Sequence, residues 1–160
     1  MIKKYFSVFV IALFLILAFQ GFSSAQEKRD FRIGFMYSYP SYGLSGIMEV
    51  NDKISVQGIM APAGVVGMYS VRGLYTFEER EKWFTYGYGS IGMWNYDYLN
   101  DSESSFGFSA GAGIEYDLSL RYGENFPPIT TSLEVGFGSV GLEYYDHSLI
   151  SIGWATHYKF

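Results

Sequence analysis

The stretch "SIGWATHYKF" (Ser151–Phe160) places large apolar or β-compatible side chains at every second position: Ile152, Trp154, Thr156, Tyr158 and Phe160. Gly153, Ala155, His157 and Lys159 fall between them. Side chains of an extended chain leave alternately to opposite faces, so a period of two describes a strand with one bulky face. The last residues of a soluble domain usually fray and need no such order. Here the alternation runs to the final residue.

The same period recurs upstream. In "FRIGFMYSY", Phe31, Ile33, Phe35, Tyr37 and Tyr39 oppose Arg32, Gly34, Met36 and Ser38. Pro40 and Gly43 then signal a turn. "LSGIMEV" sets Leu44, Gly46, Met48 and Val50 against Ser45, Ile47 and Glu49. After the turn signal "NDK" (51–53), "ISVQGIM" sets Ile54, Val56, Gly58 and Met60 against Ser55, Gln57 and Ile59. "YSVRGLYTF" opposes Tyr69, Val71, Gly73, Tyr75 and Phe77 to Ser70, Arg72, Leu74 and Thr76, and the charged turn "EEREK" (78–82) follows. "WFTYGYGSIGMWNY" (83–96) is a long strand whose facing stays open, because both parities carry large residues. The polar "DYLNDSESS" (97–105) reads as a flexible loop. "FGFSAGAGIEY" (106–116) and "TTSLEVGFG" (130–138) alternate cleanly, with Glu115 and Glu134 on their polar faces. "RYGENFPP" breaks the pattern between them, and "EYYDHS" reads as the last hairpin. Eight strand-like runs result. No segment after residue 25 shows a convincing 3.6-residue apolar period, so little helix is expected.

The first 25 residues differ in kind. Lys3 and Lys4 precede the unbroken apolar run Val8–Phe19, and Ser23 and Ala25 occupy the small-residue positions of a cleavage site. The run is shorter than the ~20 residues a spanning helix needs, so residues 1–25 read as a cleaved signal peptide. Residues 26–160 then form a single domain. There is no cysteine, which excludes disulfides, thiol catalysis, a lipid-modified cysteine and Cys-ligated zinc.

Lys3 and Lys4 are two of the 11 basic residues, so residues 26–160 carry 9 basic against 16 acidic groups, a net charge of −7. That excess disfavours nucleic acid, whose phosphates require Lys and Arg. The same segment holds 3 Trp, 14 Tyr and 9 Phe with 18 Gly. Tyr- and Trp-rich strands suit one face turned to lipid, with aromatic rings at the headgroup levels.

With the signal peptide ending at Ala25, the glycine-rich "GFSAGAGIEYDL" (107–118) and the alternating aromatic terminus in place, the chain resembles the small bacterial outer-membrane β-barrels of porin-like or opacity-protein-like type. The resemblance spans residues 26–160. It implies an all-β fold, a closed antiparallel eight-stranded transmembrane up-and-down β-barrel, located in the bacterial outer membrane. It implies contact with outer-membrane lipid and recognition by the barrel assembly machinery, through a C-terminal signal made of Ile152, Trp154, Tyr158 and Phe160. Thr156 is a polar departure from that pattern. A monomer without cofactor or nucleic-acid partner is expected.

In such a barrel the polar face lines the lumen, which eight strands leave just wide enough for side chains to fill. An Arg turned to lipid near the midplane would cost about 2–4 kcal/mol. The expected interior polar cluster is therefore Arg32, Glu49, Gln57, Arg72, Glu115, Glu134 and His157, with the two arginines among the three glutamates. It reads either as structural packing or as the lining of an ion-selective pore.

Catalysis finds little support. "YDHSL" offers Asp146, His147 and Ser148, with His157 ten positions after His147; adjacent residues of a strand point to opposite faces and cannot converge as a triad must. Two histidines without cysteine do not make a recognised zinc set. "NDSES" (100–104) lacks the order of a twelve-residue calcium loop. "GYGSIG" (87–92) lacks the strand–turn–helix context of a nucleotide fingerprint. The chain reads as non-enzymatic, with a structural, surface-interaction or small-solute passage role carried by loops near Tyr96–Ser105 and Val140–Ser148. A soluble periplasmic lipocalin-like barrel around a small apolar ligand, and a lipid-modifying barrel enzyme, are the alternatives.

Overall fold

The closing strand, β8 (Tyr145–Lys159), lies antiparallel to β1 (Phe31–Ser38), with Arg32 opposite Lys159 and Ser38 opposite Gly153. That pairing closes a sheet in which every other neighbour is also the next strand in sequence. The remaining strands are β2 (Ser41–Asn51), β3 (Ile54–Ala61), β4 (Val66–Glu79), β5 (Trp83–Tyr98), β6 (Asp101–Asp117) and β7 (Ile129–Leu142). All eight pairings are antiparallel. The result is a closed eight-stranded up-and-down barrel, and closure leaves the sheet no free lateral edge strand. This computed structural model describes residues 31–61, 66–98, 101–123, 125–142 and 145–160. The expected signal peptide, 1–25, lies outside the described residues, as do the side chains of Asp146, His147 and Ser148.

The alternation read from the sequence sets the two faces. Ile33, Phe35, Leu44, Met60, Val71, Phe108, Ile114, Leu133, Val135 and Ile152 point outward and are exposed. Arg32, Gln57, Arg72, Glu115, Glu134 and His157 point inward and are buried. A soluble barrel holding an apolar ligand would show the reverse arrangement. Ile91 and Ile152 are 73% and 75% exposed, which water would oppose and hydrocarbon would not.

The facing of β5 is settled by its neighbours. Tyr86, Tyr88, Ser90 and Trp94 are buried inside, and Ile91 points out. The inner walls of β6 and β7 supply the room. A Cβ on Gly113 would lie 2.6 Å from the Tyr86 ring, and one on Gly136 would lie 2.5 Å from the Tyr88 hydroxyl. One on Gly107 would lie 2.8 Å from the Trp94 indole. Large residues of one strand fill what glycines of the facing strands vacate.

Several boundaries differ from the sequence reading. The polar stretch 97–105 is mostly strand: Tyr96 pairs with Glu103, Asp97 with Ser102 and Tyr98 with Asp101. Backbone hydrogen bonding extends this hairpin past the apolar level, and the Ser104 hydroxyl donates to Asn95 Oδ1 at 2.8 Å. The segment expected as a loop from Val140 to Ser148 is likewise largely ladder, with Leu142 opposite Tyr145. Glu78 and Glu79 belong to β4 and not to the turn. The first turn is Tyr39–Pro40, and Gly43 sits within β2 at φ 124°, where a Cβ would lie 2.2 Å from the Met60 carbonyl oxygen. Between β6 and β7 the chain forms one short helix, α1 (Leu118–Tyr122).

Candidate functional site

The barrel interior is layered along its axis. Near the end that carries Phe31 and Phe160, Arg32 bonds to Glu115 through Nη1 and reaches Glu49 Oε1 through Nη2 at 3.4 Å. Its guanidinium also lies 5.8 Å from the centroid of the Phe84 ring. These groups border a cavity of about 210 Å³ that also touches Asp52, Leu74, Thr76, Glu79 and Tyr86. Arg32 is the second residue of β1 and meets Glu49 across the β1–β2 pairing, whereas Glu115 comes from β6 and reaches it only because the barrel closes.

The next layer is built on Arg72, which is 1% exposed. Its fork meets Glu134 with two bonds, Nη1 to Oε1 at 3.2 Å and Nη2 to Oε2 at 2.9 Å. A bidentate pair of this kind fixes orientation as well as charge. The Gln57 amide oxygen accepts from Arg72 Nη1 at 3.2 Å, and Gln57 Nε2 donates to Ser45 Oγ at 2.7 Å. Tyr86 donates its hydroxyl to Glu134 Oε1 at 2.7 Å. The guanidinium stacks 3.7 Å above the centroid of Tyr88, close enough for a strong cation–π contact. His157 Nε2 lies 2.9 Å from Ser45 Oγ, so the network extends to the closing strand.

Beyond this layer the charged groups stop, and the buried polar side chains are serines, with Ser90 and Ser109 sharing a hydrogen bond of 2.6 Å. Met36, Ile59, Ala61, Met68, Trp94, Val140, Leu142 and Ala155 form a buried apolar cluster toward the end opposite Phe31 and Phe160. Trp94 Nε1 donates to the carbonyl oxygen of Pro40 at 2.9 Å. A Cβ on Gly138 would meet Pro40 Cδ at 2.8 Å, so the β1–β2 turn folds inward until it rests on β7. An ion entering this cluster would exchange hydration for apolar side chains and a few hydroxyls, which is costly.

The seven residues expected inside thus occupy two connected layers, with Glu49 the half-exposed member at the rim. Among the terminal-strand residues, Ile152, Trp154, Tyr158 and Phe160 all face outward. Phe160 is held at both backbone and ring: its N–H donates to the Phe31 carbonyl at 3.0 Å, and its ring lies 4.8 Å from that of Tyr158. Sequence reading missed the inward aromatics Tyr86, Tyr88 and Trp94. The available signal was the run of glycines on the polar parity of β6 and β7, which must leave space for something large. Among the described residues no group of three or more His, Cys, Asp or Glu side chains could hold a metal ion.

No protein-family model and no curated protein sequence matches the chain. Solved structures do. The N-terminal β-barrel domain of Pseudomonas aeruginosa OprF is similar over 82% of this chain and 96% of that one, at 16% identity and a TM-score of 0.55. The crystal structure of Ail, the attachment invasion locus protein of Yersinia pestis, is similar over 84% of this chain and 100% of that one, at 20% identity and a TM-score of 0.44. The backbone structure of Ail in a phospholipid bilayer nanodisc gives 84% and 100% coverage, 16% identity and a TM-score of 0.47. The architecture is that of small bacterial outer-membrane eight-stranded barrels, and the OprF domain carries that likeness.

Proposed function

We propose that this chain is an integral protein of the bacterial outer membrane whose barrel is a closed, non-enzymatic scaffold for structure and surface interaction. The observation that carries the reading is the distribution of side chains on a closed barrel, charged within and apolar without. Only a surrounding of lipid makes that distribution favourable. Export with removal of residues 1–25 and insertion guided by Ile152, Trp154, Tyr158 and Phe160 belong to the same reading. The apolar layer around Trp94 supports a lumen that does not conduct. Interaction with surroundings then rests on the extended hairpins β5–β6 and β7–β8.

Cell fractionation tests the location. A heat-modifiable band in the sarkosyl-insoluble membrane fraction is expected; release with the periplasm on osmotic shock would refute it. Planar-bilayer recording of the folded protein tests the lumen, and a silent bilayer is the expected result. Discrete single-channel steps would instead assign it to small-solute passage.

A further inference from the structure

The connection between β6 and β7 is unlike the two other connections at the same end of the barrel. Those are charged and short: Asp52–Lys53 joins β2 to β3, and Arg80–Lys82 joins β4 to β5. Residues 118–128 are longer and carry Leu118, Leu120, Tyr122, Phe126, Pro127 and Pro128. Outer-membrane barrels keep the connections at one end short, so eleven residues of this composition call for a physical reason.

The segment is held in shape. The Asp117 carboxylate accepts from the Ser119 and Leu120 backbone N–H groups at 2.9 and 3.3 Å and from the Ser119 hydroxyl at 2.6 Å, capping α1. At the other end Gly123, at φ 95°, donates its N–H to the Ser119 carbonyl. Pro128 is tied to the closing strand, since its carbonyl accepts from Lys159 N–H at 2.8 Å. Yet this ordered segment leaves Leu120 54% and Tyr122 66% exposed, with the Tyr122 ring 5.1 Å from that of Phe126.

Its position supplies the covering surface. Tyr116 on the outward parity of β6 immediately precedes it, and Ile129 on β7 pairs with Tyr158 just beyond it. Tyr158, Phe160 and Phe31 form a contiguous aromatic edge at this same level, with ring centroids 4.8 and 6.2 Å apart. The aromatic pair Tyr122–Phe126 therefore continues the rim of the lipid-facing band, where amphipathic rings favour the headgroup region. We infer that residues 118–123 and 125–128 are an interfacial foot, with Tyr122, Phe126 and Leu120 seated among phospholipid headgroups at the end of the barrel that carries Phe31 and Phe160. This rests on the membrane reading above. It adds a fixed lipid contact outside the strands, and Arg121, exposed in the last turn of α1, supplies a cation in the same segment.

The chain has no cysteine, so single-cysteine labels report one site each. Tyr122→Cys, Asp52→Cys and Val135→Cys would carry an environment-sensitive fluorophore in protein folded into phosphatidylethanolamine–phosphatidylglycerol vesicles. The Val135 label is expected to be quenched by deeply spin-labelled lipid, and the Asp52 label by aqueous iodide. The Tyr122 label is expected to be quenched by headgroup-labelled lipid and to lose at least half of the iodide quenching seen at Asp52. Iodide quenching equal to that at Asp52, or shielding without quenching by lipid, would overturn the foot. If Val135 also escapes lipid quenching, the membrane reading itself fails, and the two failures are distinguishable. Leu120→Cys repeats the measurement with the Tyr122–Phe126 pair intact.

Discussion

The indole of Trp94 on β5 donates to the carbonyl oxygen of Pro40, 2.9 Å away, joining the β1–β2 turn to the opposite wall of the barrel. This bond and the apolar cluster around it fill the lumen at the end opposite Phe31 and Phe160. A loop that could have extended into solvent is instead part of the core.

Trp94→Ala should therefore destabilise the barrel through a large interior cavity, by about 3–5 kcal/mol. Trp94→Phe keeps most of the volume and loses the hydrogen bond, so a smaller loss of about 0.5–1.5 kcal/mol is expected. Urea unfolding in lipid vesicles measures both. Equal losses would mean that the bond, and not the packing, holds the turn.

The Arg72–Glu134 pair invites a double-mutant cycle. Glu134→Leu alone leaves a buried guanidinium without its countercharge and Arg72→Met alone leaves a buried carboxylate, and removing one partner of such a pair costs about 3–5 kcal/mol. Arg72→Met combined with Glu134→Leu should recover most of that loss, because two apolar side chains need no compensation. Additive losses in the cycle would show that the pair is not coupled.

Glycines of the two faces should respond differently. Gly136→Ala drives a methyl group to 2.5 Å from the Tyr88 hydroxyl and from the Ala110 carbonyl oxygen, so folding yield should fall. Gly73 faces outward with nothing within 4 Å of a new Cβ, and Gly73→Ala should be close to neutral. Electrophoretic heat modifiability after refolding reads both.

Val135 on the lipid face offers a direct check of the surroundings. Val135→Arg should cost about 2–4 kcal/mol in a bilayer if the position lies near the midplane, whereas Val135→Leu should change little. An arginine tolerated there without loss would contradict lipid contact at β7.

Deleting Phe160 removes a ring packed on Phe31 and Tyr158 and one backbone bond to Phe31. Assembly in cells is expected to fall more than the stability of protein refolded in detergent. Normal surface assembly of the deletion would count against a terminal insertion signal.

Alternation in the sequence determined most of the architecture. A period of two with apolar residues on one parity specifies strands whose one face meets lipid, and the pattern from Ile152 to Phe160 needs nothing further to be read. The same parity assigns Arg32, Arg72, Glu115 and Glu134 to the interior, because a one-residue slip would turn every charge to the other face. Parity could not orient β5, where Tyr86 and Tyr88 compete with Trp83 and Ile91 for the same description. Nor could it show that polar residues 101–105 continue a strand, since ladder hydrogen bonds join backbones whatever the side chains are. Which charges meet across the lumen was decided by closure: Arg72 and Glu134 are 62 residues apart, and no local rule brings β4 and β7 face to face. The inward fold of Pro40 onto Trp94 and Gly138 is likewise a tertiary result, because it depends on space left by a glycine on a strand that is distant in sequence.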